Sequence, residues 1–220
     1  MHIGIAGNIG SGKTTLTRML SEHSGWTPKY EAVTYNPYLE DYYKDIPRWS
    51  FNLEMYFLEQ RFKDVLEIAR SKETVIQDRT LFEGVYIFVA NNYEMGNLSK
   101  RDFDTYMGMF NLLMSLVSPP DLLIYLRCSI PHLVSQIQKR GRDYEQSISL
   151  EYLGGLNERY EKFIEEDYKG HVLVEIGEVG VEVHGLESRR PAVMVGQHLG
   201  QRGLAAADIS CDGDMHIVNF

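Results

Sequence analysis

From Gly7 to Thr14 the chain reads G-N-I-G-S-G-K-T, a G-x-x-x-x-G-K-T pattern set between the apolar run HIGIAG and the helically spaced KTTLTRMLSEH. Glycines in this pattern let the backbone curl until successive N–H groups face one anion, and the helix behind adds the positive end of its dipole. Gly7, Asn8, Ile9, Gly10, Ser11, Gly12, Lys13, Thr14 and Thr15 are therefore expected to cradle the phosphates of a nucleoside triphosphate. Lys13 would neutralise β- and γ-phosphate charge, and the Thr14 hydroxyl would ligate Mg2+. The cradle points to the phosphate donor and leaves the acceptor open among water, a protein, a nucleotide and a nucleoside.

Three further groups bear on the acceptor. Asp78 and Arg79 follow the apolar run ETVIQ, so they project from the C-terminal end of a strand, the edge where ligands bind in open α/β sheets. An acid there can hold the metal, and an arginine there can reach transferring oxygens. Glu31 follows PKY and is expected at the same edge. Transfer to a hydroxyl needs a group to accept its proton, which a carboxylate in hydrogen-bond reach can do. Finally, KRGRDYE carries three cations in four residues around a glycine, as suits a lid, about residues 139–147, that closes over phosphates through Arg140 and Arg142. Singly, these groups have plainer readings: a strand-end ion pair, a surface acid, and a helix C-terminus with charge opposed to its dipole. The cradle tips all three toward function.

These residues need a frame. ETVIQD, DLLIYLRC and HVLVEI join HIGIAG as short buried-strand candidates, with PKYEAV a weaker one. Between them lie helical stretches: WSFNLEMYFLEQRFKDVLEIARS, a segment around EGVYIFVANN, KRDFDTYMGMFNLLMSLV, PHLVSQIQKR and LEYLGGLNERYEKFIEED. Strands alternating with helices imply parallel crossovers, hence an α/β doubly wound sheet with helices on both faces. A length of 220 residues suits one such core.

A net charge of −9 disfavours nucleic acid and membrane surfaces as partners, so phosphate must be met by a local cluster of cations. The two cysteines, Cys128 and Cys211, have neither metal-type nor redox-type spacing. With a first strand starting at His2 and no apolar run of spanning length, a cytoplasmic location is expected. Composition then shifts near the end: all fourteen tyrosines lie at or before Tyr168, whereas eight of nineteen glycines fall from Gly170 onward. Residues 177–220 are expected to form a divergent, poorly packed tail.

Taken together, GNIGSGKTTL, YEAV, YYKD, RWSFNLEMYFLEQR, QDRTLFEGVYIFV and KRGRDYEQSISLEYL resemble the deoxyribonucleoside kinase family, in the family's order and over about residues 1–176. The resemblance implies a P-loop NTPase-type five-stranded parallel sheet, usually in a homodimer. It also implies Mg2+-assisted transfer of the γ-phosphate of ATP to the 5′-hydroxyl of a deoxynucleoside, a nucleotide-salvage step. In that setting Glu31 would activate the hydroxyl with Arg79 beside it, and Asp78 would be the acid on the metal side. Tyr43 and Glu145 would hold the sugar 3′-hydroxyl, Phe88 would stack on the base, and Arg140 and Arg142 would be lid arginines.

Two departures from the family bear on the base. Glu54 stands where many relatives carry glutamine, and Gly84 replaces the acidic partner of Arg61. Glu54 and Arg61 are seven residues apart and share a helix face. An ionised carboxylate only accepts hydrogen bonds, which suits the N1–H and N2–H donors of guanine, while Arg61 could donate to O6 and N7. A purine deoxynucleoside is therefore expected, guanine ahead of adenine. A third departure is GEVGVEVHGLESRRPAV, which holds no recognisable form of the family's adenine-contacting loop.

Two other classes share some of these features. A nucleoside monophosphate kinase of the thymidylate kinase type has the cradle and an aspartate–arginine strand end. Its acceptor already bears a phosphate, which Glu31 would repel at short range. A regulatory P-loop module, with the methionine-rich YMGMFNLLMSLV as a partner face, would turn over ATP without any acceptor.

Overall fold

The structure is a computed structural model that describes residues 1–31, 36–142, 145 and 148–176, together with the backbone of Ala206–Ile209 and Met215–Val218. Five strands form one parallel sheet: β1 His2–Gly7, β2 Thr27–Lys29, β3 Val75–Asp78, β4 Leu122–Arg127 and β5 Val172–Ile176, in the order β2-β3-β1-β4-β5. All five lie where apolar runs were read, although β2 stops at Lys29, so Glu31 sits two residues past its end. The tail contributes β6 Ala206–Ile209 and β7 Met215–Val218, an antiparallel pair. The rest of the stretch expected to pack poorly, 177–205, 210–214 and 219–220, lies outside the described residues.

Strand residues alternate between the two faces of the sheet. Ile3, Ile5, Ile76, Leu122, Ile124 and Leu126 form one buried cluster, packed by Leu16 and Leu20 of helix α1, Lys13–Ser24. Ala6, Leu123 and Tyr125 point the other way, into a cluster with Leu156 and Tyr160 of α8, Leu150–Lys162. Covering both faces is what lets these parallel strands be largely apolar.

The remaining helices flank the C-terminal edge. α2, Leu39–Lys44, was not apparent in the sequence; its six residues are too few to show a helical period. It packs Tyr42 against Leu53 and Phe57 of α3, Ile46–Arg70. α3 starts earlier than the apolar spacing suggested, because the Asp45 side chain accepts a hydrogen bond from the Arg48 N–H (3.2 Å) and Pro47 occupies the first turn. The stretch after β3 runs as α4, Leu81–Glu83, a π-helical segment, Gly84–Val89, and α5, Ala90–Glu94. α6, Lys100–Met114, closes over Leu81, Val85 and Val89 with Tyr106 and Phe110. α7, Ile130–Arg140, ends at Gly141 in the left-handed region (φ 66°), and a second π-helical segment, Phe163–Asp167, extends α8.

Register fixes what meets at the active edge. Ile5 pairs with Asp78 and Gly7 with Leu126, while Lys29 pairs with Gln77. β3 therefore stands between the loop leaving β1 and the chain leaving β2, and delivers Asp78 and Arg79 between them.

The loop after β1 presses on α7 at Gly10, where φ is +85° and an added Cβ would lie 2.9 Å from the Leu133 carbonyl oxygen. Gly10→Ala is expected to lose about 1–3 kcal/mol from strain and overlap, read as a melting temperature lower by several degrees. An unchanged melting temperature would contradict this packing.

Candidate active site

A cavity of about 300 Å³ opens at the C-terminal edge of the sheet. Its wall brings together Ile9, Gly10, Lys13, Thr14, Glu31, Tyr43, Glu54, Arg61, Asp78, Arg79, Phe88, Arg140, Arg142 and Glu145. Of the residues singled out in the sequence, Gly7, Asn8, Ser11, Gly12 and Thr15 do not line it. Gly7 and Asn8 act from behind: their carbonyls accept hydrogen bonds from the Lys13 ammonium at 2.7 and 2.9 Å. Ser11 is buried, Gly12 carries the left-handed turn (φ 91°) that starts α1, and Thr15 is exposed.

Glu31 is the electrostatic centre. Its Oε1 accepts hydrogen bonds from Arg61 Nη2 and from Arg79 Nη1, the latter at 3.1 Å. Burial alone would push its carboxyl upward, but the charges of Arg79, Arg61 and Lys13 outweigh that and hold it at about 2. Arg79 keeps its own proton: burial opposes the charge, yet Glu31, Tyr160, Glu83 and Asp78 raise its pKa. Its backbone is in the left-handed region (φ 69°), unusual for a non-glycine residue, and its N–H bonds to the Ile5 carbonyl at 3.0 Å. The guanidinium carbon lies 4.2 Å from the centroid of the Phe88 ring.

At the cradle, Thr14 Oγ1 donates to Asp78 Oδ2 at 2.6 Å. Asp78 Oδ1 is buried without a hydrogen-bond partner among the described residues. Burial, with Glu31 adding to it, raises the Asp78 pKa against the pull of Lys13 and the Thr14 bond. A buried carboxylate oxygen without a partner beside a hydroxyl is an oxygen-only donor set, which fits a hard divalent cation such as Mg2+. Lys13 is lowered to about 8, first by burial and then by Arg79, against Asp78, Glu83 and Glu31.

Glu83 was missed in the sequence. Its Oε2 accepts from the Thr80 N–H at 2.7 Å, while Oε1 accepts from Tyr160 Oη at 2.8 Å and from the Gly7 N–H at 3.3 Å. One buried acid thus starts α4, ties it to α8 and pins the first residue of the cradle. The Thr80–Glu83 spacing is a helix-start signal and could have been read as such. Asn8 Nδ2 makes a further link to α8, donating to the Leu153 carbonyl at 3.1 Å.

The far end of the cavity is lined by α3. Leu53, Glu54, Phe57 and Arg61 form one stripe, with Tyr42 of α2 and Tyr152 of α8 opposite. Arg61 pairs with Glu31 rather than with Glu54, and its Nε has no acceptor among the described residues. A Cβ on Gly84 would lie 3.2 Å from Arg61 Nη1, so the residue that lacks a carboxylate also leaves the guanidinium its room. Glu54 is 3% exposed, and among the described residues no ion pair or hydrogen bond holds it. Burial raises its carboxyl to about 7, against the pull of Arg61 and Arg79.

At the mouth, Glu145 accepts from Arg140 Nε at 3.0 Å and Nη2 at 2.6 Å, and from Arg142 Nη1 at 3.3 Å. Both lid arginines are thus drawn to one acid. Of the proposed lid, residues 143, 144, 146 and 147 lie outside the described residues. Tyr43 lines the same end, edge-on to Tyr42 at 5.3 Å between ring centroids.

A phosphate cradle, an oxygen donor set for a cation and a carboxylate held between two arginines in the adjoining cavity define a P-loop phosphotransferase. The description "deoxynucleoside kinase" belongs to the family model that matches residues 3–190, and the chain belongs to that family. It is 39% identical over 164 residues to the deoxyadenosine/deoxycytidine kinase of Bacillus subtilis (strain 168), covering 74% of this chain and 76% of that protein. It is 37% identical over 168 residues to the deoxyguanosine kinase of the same organism, covering 74% and 78%. The solved structure of deoxyadenosine kinase from M. mycoides with bound dATP superimposes with a TM-score of 0.77 at 35% identity, covering 91% of this chain and 100% of that one. The chain is accordingly an enzyme that phosphorylates a deoxynucleoside on its 5′-hydroxyl.

The raised pKa of Glu54 has a thermodynamic consequence. A folded-state pKa of about 7 against an ordinary 4.5 means that stability present below about pH 4.5 is lost as pH rises through about 7. The cost of the buried charge above that is on the order of 3 kcal/mol. Glu54→Gln should therefore melt several degrees above the parent near pH 8 and show little difference near pH 5. A pH-independent difference would contradict the burial of a titrating group here.

Proposed function

We propose that the acceptor is a purine deoxynucleoside, deoxyguanosine ahead of deoxyadenosine, phosphorylated by ATP with Mg2+ to give dNMP and ADP. The observation that carries this reading is the buried Glu54 carboxylate, unpaired among the described residues, facing the cavity beside Arg61. An acceptor-only group suits the N1–H and N2–H edge of guanine, and the spare Arg61 donors suit O6 and N7. Relatives named for deoxyguanosine and deoxyadenosine are consistent with it.

In this reading Glu31 receives the 5′-hydroxyl. A carboxyl held at about 2 is a weak base, which is sufficient for a loose phosphoryl transfer in which the alcohol proton becomes acidic only as the P–O bond forms. Arg79 spreads transition-state charge, and Phe88 beneath it offers a face to the base. Lys13, released from the Gly7 and Asn8 carbonyls, meets the donor phosphates, with Arg140 and Arg142 reaching them as the lid closes. Tyr43 and Glu145 hold the sugar 3′-hydroxyl. Thr14 and Asp78 would hold Mg2+, which when bound neutralises charge on the donor phosphates. We take residues 1–176 as the kinase domain, working as a cytoplasmic homodimer, with 177–220 a divergent appendage. Glu31 also opposes the rival reading as a nucleoside monophosphate kinase, whose acceptor would place a phosphate dianion against it.

Steady-state assays with all four deoxynucleosides test the reading. ATP turnover should depend on an added acceptor and be fastest with a purine. A clear pyrimidine preference would overturn the base assignment, and an equal ATPase rate without acceptor would overturn the kinase mechanism.

A further inference from the structure

We propose that Glu54 reads the base through its own proton: ionised, it selects the guanine edge, and protonated, it selects the adenine edge. The inference rests on the purine reading above and deepens it.

The geometry leaves Glu54 free to act this way. It stands on α3 at the inner end of the cavity, 3% exposed. The cation on the same helix face, Arg61, spends its Nη2 on Glu31, so no described residue neutralises Glu54 by direct contact. Six charged or titratable groups bear on it from the surrounding elements. Arg61 comes from α3 itself, Arg79 from the end of β3 and Glu31 from the chain after β2. Tyr42 comes from α2, Tyr106 from α6 and Tyr152 from α8. The three phenols are buried and pushed upward, so they stay neutral and titrate nowhere near Glu54. Burial and the Glu31 charge oppose ionisation, while Arg61 and Arg79 favour it, and the balance falls at about 7.

The chemistry follows from counting donors. An ionised carboxylate offers two acceptors, matching the N1–H and N2–H of guanine. A protonated one offers one donor and one acceptor, matching N1 and N6–H of adenine. The carboxyl can keep one position for both bases, and only the proton changes. A bound base therefore shifts the titration: guanine holds the proton off and adenine holds it on, as linkage requires.

Two measurements test this on the intact protein. The ratio of kcat/KM for deoxyguanosine over deoxyadenosine, taken from about pH 5.5 to about 8.5, should rise by about tenfold or more around neutrality. Titration of Lys13, which serves the donor phosphates, multiplies both rates alike and cancels in the ratio. In Glu54→Gln, whose amide is a fixed donor and acceptor, the ratio should be flat and shifted toward deoxyadenosine. Because that variant could fold poorly, calorimetry of the parent protein in buffers of different ionisation enthalpy gives an independent readout. Deoxyadenosine should take up a proton on binding near pH 8, and deoxyguanosine should release one near pH 6. A flat ratio in an enzyme that turns over both purines, or proton exchange of the same sign for both, overturns this proposal while leaving the purine reading intact. Turnover of pyrimidines alone overturns both.

Discussion

Glu31 is a carboxylate only 13% exposed and kept charged by two guanidiniums carried on different elements, Arg61 on α3 and Arg79 just past the end of β3. Leaving a buried charge unpaired costs several kcal/mol, so this acid commits both arginines, and each arginine commits the element that carries it. Arg79 accepts a left-handed backbone to reach it. Arg61 can reach it because residue 84 is a glycine and offers no competing carboxylate. The Arg61–Glu31 pair thereby ties α3 to the chain that follows β2.

From that pair the charges alternate along the cavity. Lys13 and Asp78 sit at the cradle, Arg79 and Glu31 beside them, and Arg61 and Glu54 on α3. Alternation keeps most of these groups compensated in a low-dielectric setting, where an isolated charge would be neutralised instead. Among the described residues Glu54 is the member without an ion pair or hydrogen bond, and it is the one whose carboxyl rises to about 7. The scaffold behind the row is equally polar: Glu83 joins α4, α8 and the Gly7 N–H, so the cradle is anchored to both helices by one buried acid. Preorganised charge of this kind is what phosphoryl transfer chiefly requires, since the transition state needs alignment and neutralisation more than covalent help.

What the sequence revealed and what it hid divide along physical lines. The strands were legible because both faces of the sheet are covered, which leaves β1, β3, β4 and β5 as largely apolar runs. The cradle was legible because Gly7, Gly10 and Gly12 hold positive φ values that other residues rarely adopt. α2 was hidden by its shortness, and the start of α3 by a cap at Asp45 that lies ahead of the apolar spacing. The pairing of Arg61 with Glu31 spans thirty positions between helix and loop, and no local pattern reports such a contact. Spacing on α3 suggested Glu54 as the natural neighbour of Arg61, but a shared helix face does not decide which of two acids a long side chain chooses. The π-helical turn that sets Phe88 under Arg79 has no signature in composition either.

The account stands on Glu31 as the group that receives the acceptor alcohol, and the most direct measurement is Glu31→Gln with deoxynucleoside affinity and turnover determined separately. If the carboxylate takes the proton, binding should stay nearly intact while turnover falls by about 10² or more. Unchanged turnover would contradict the account.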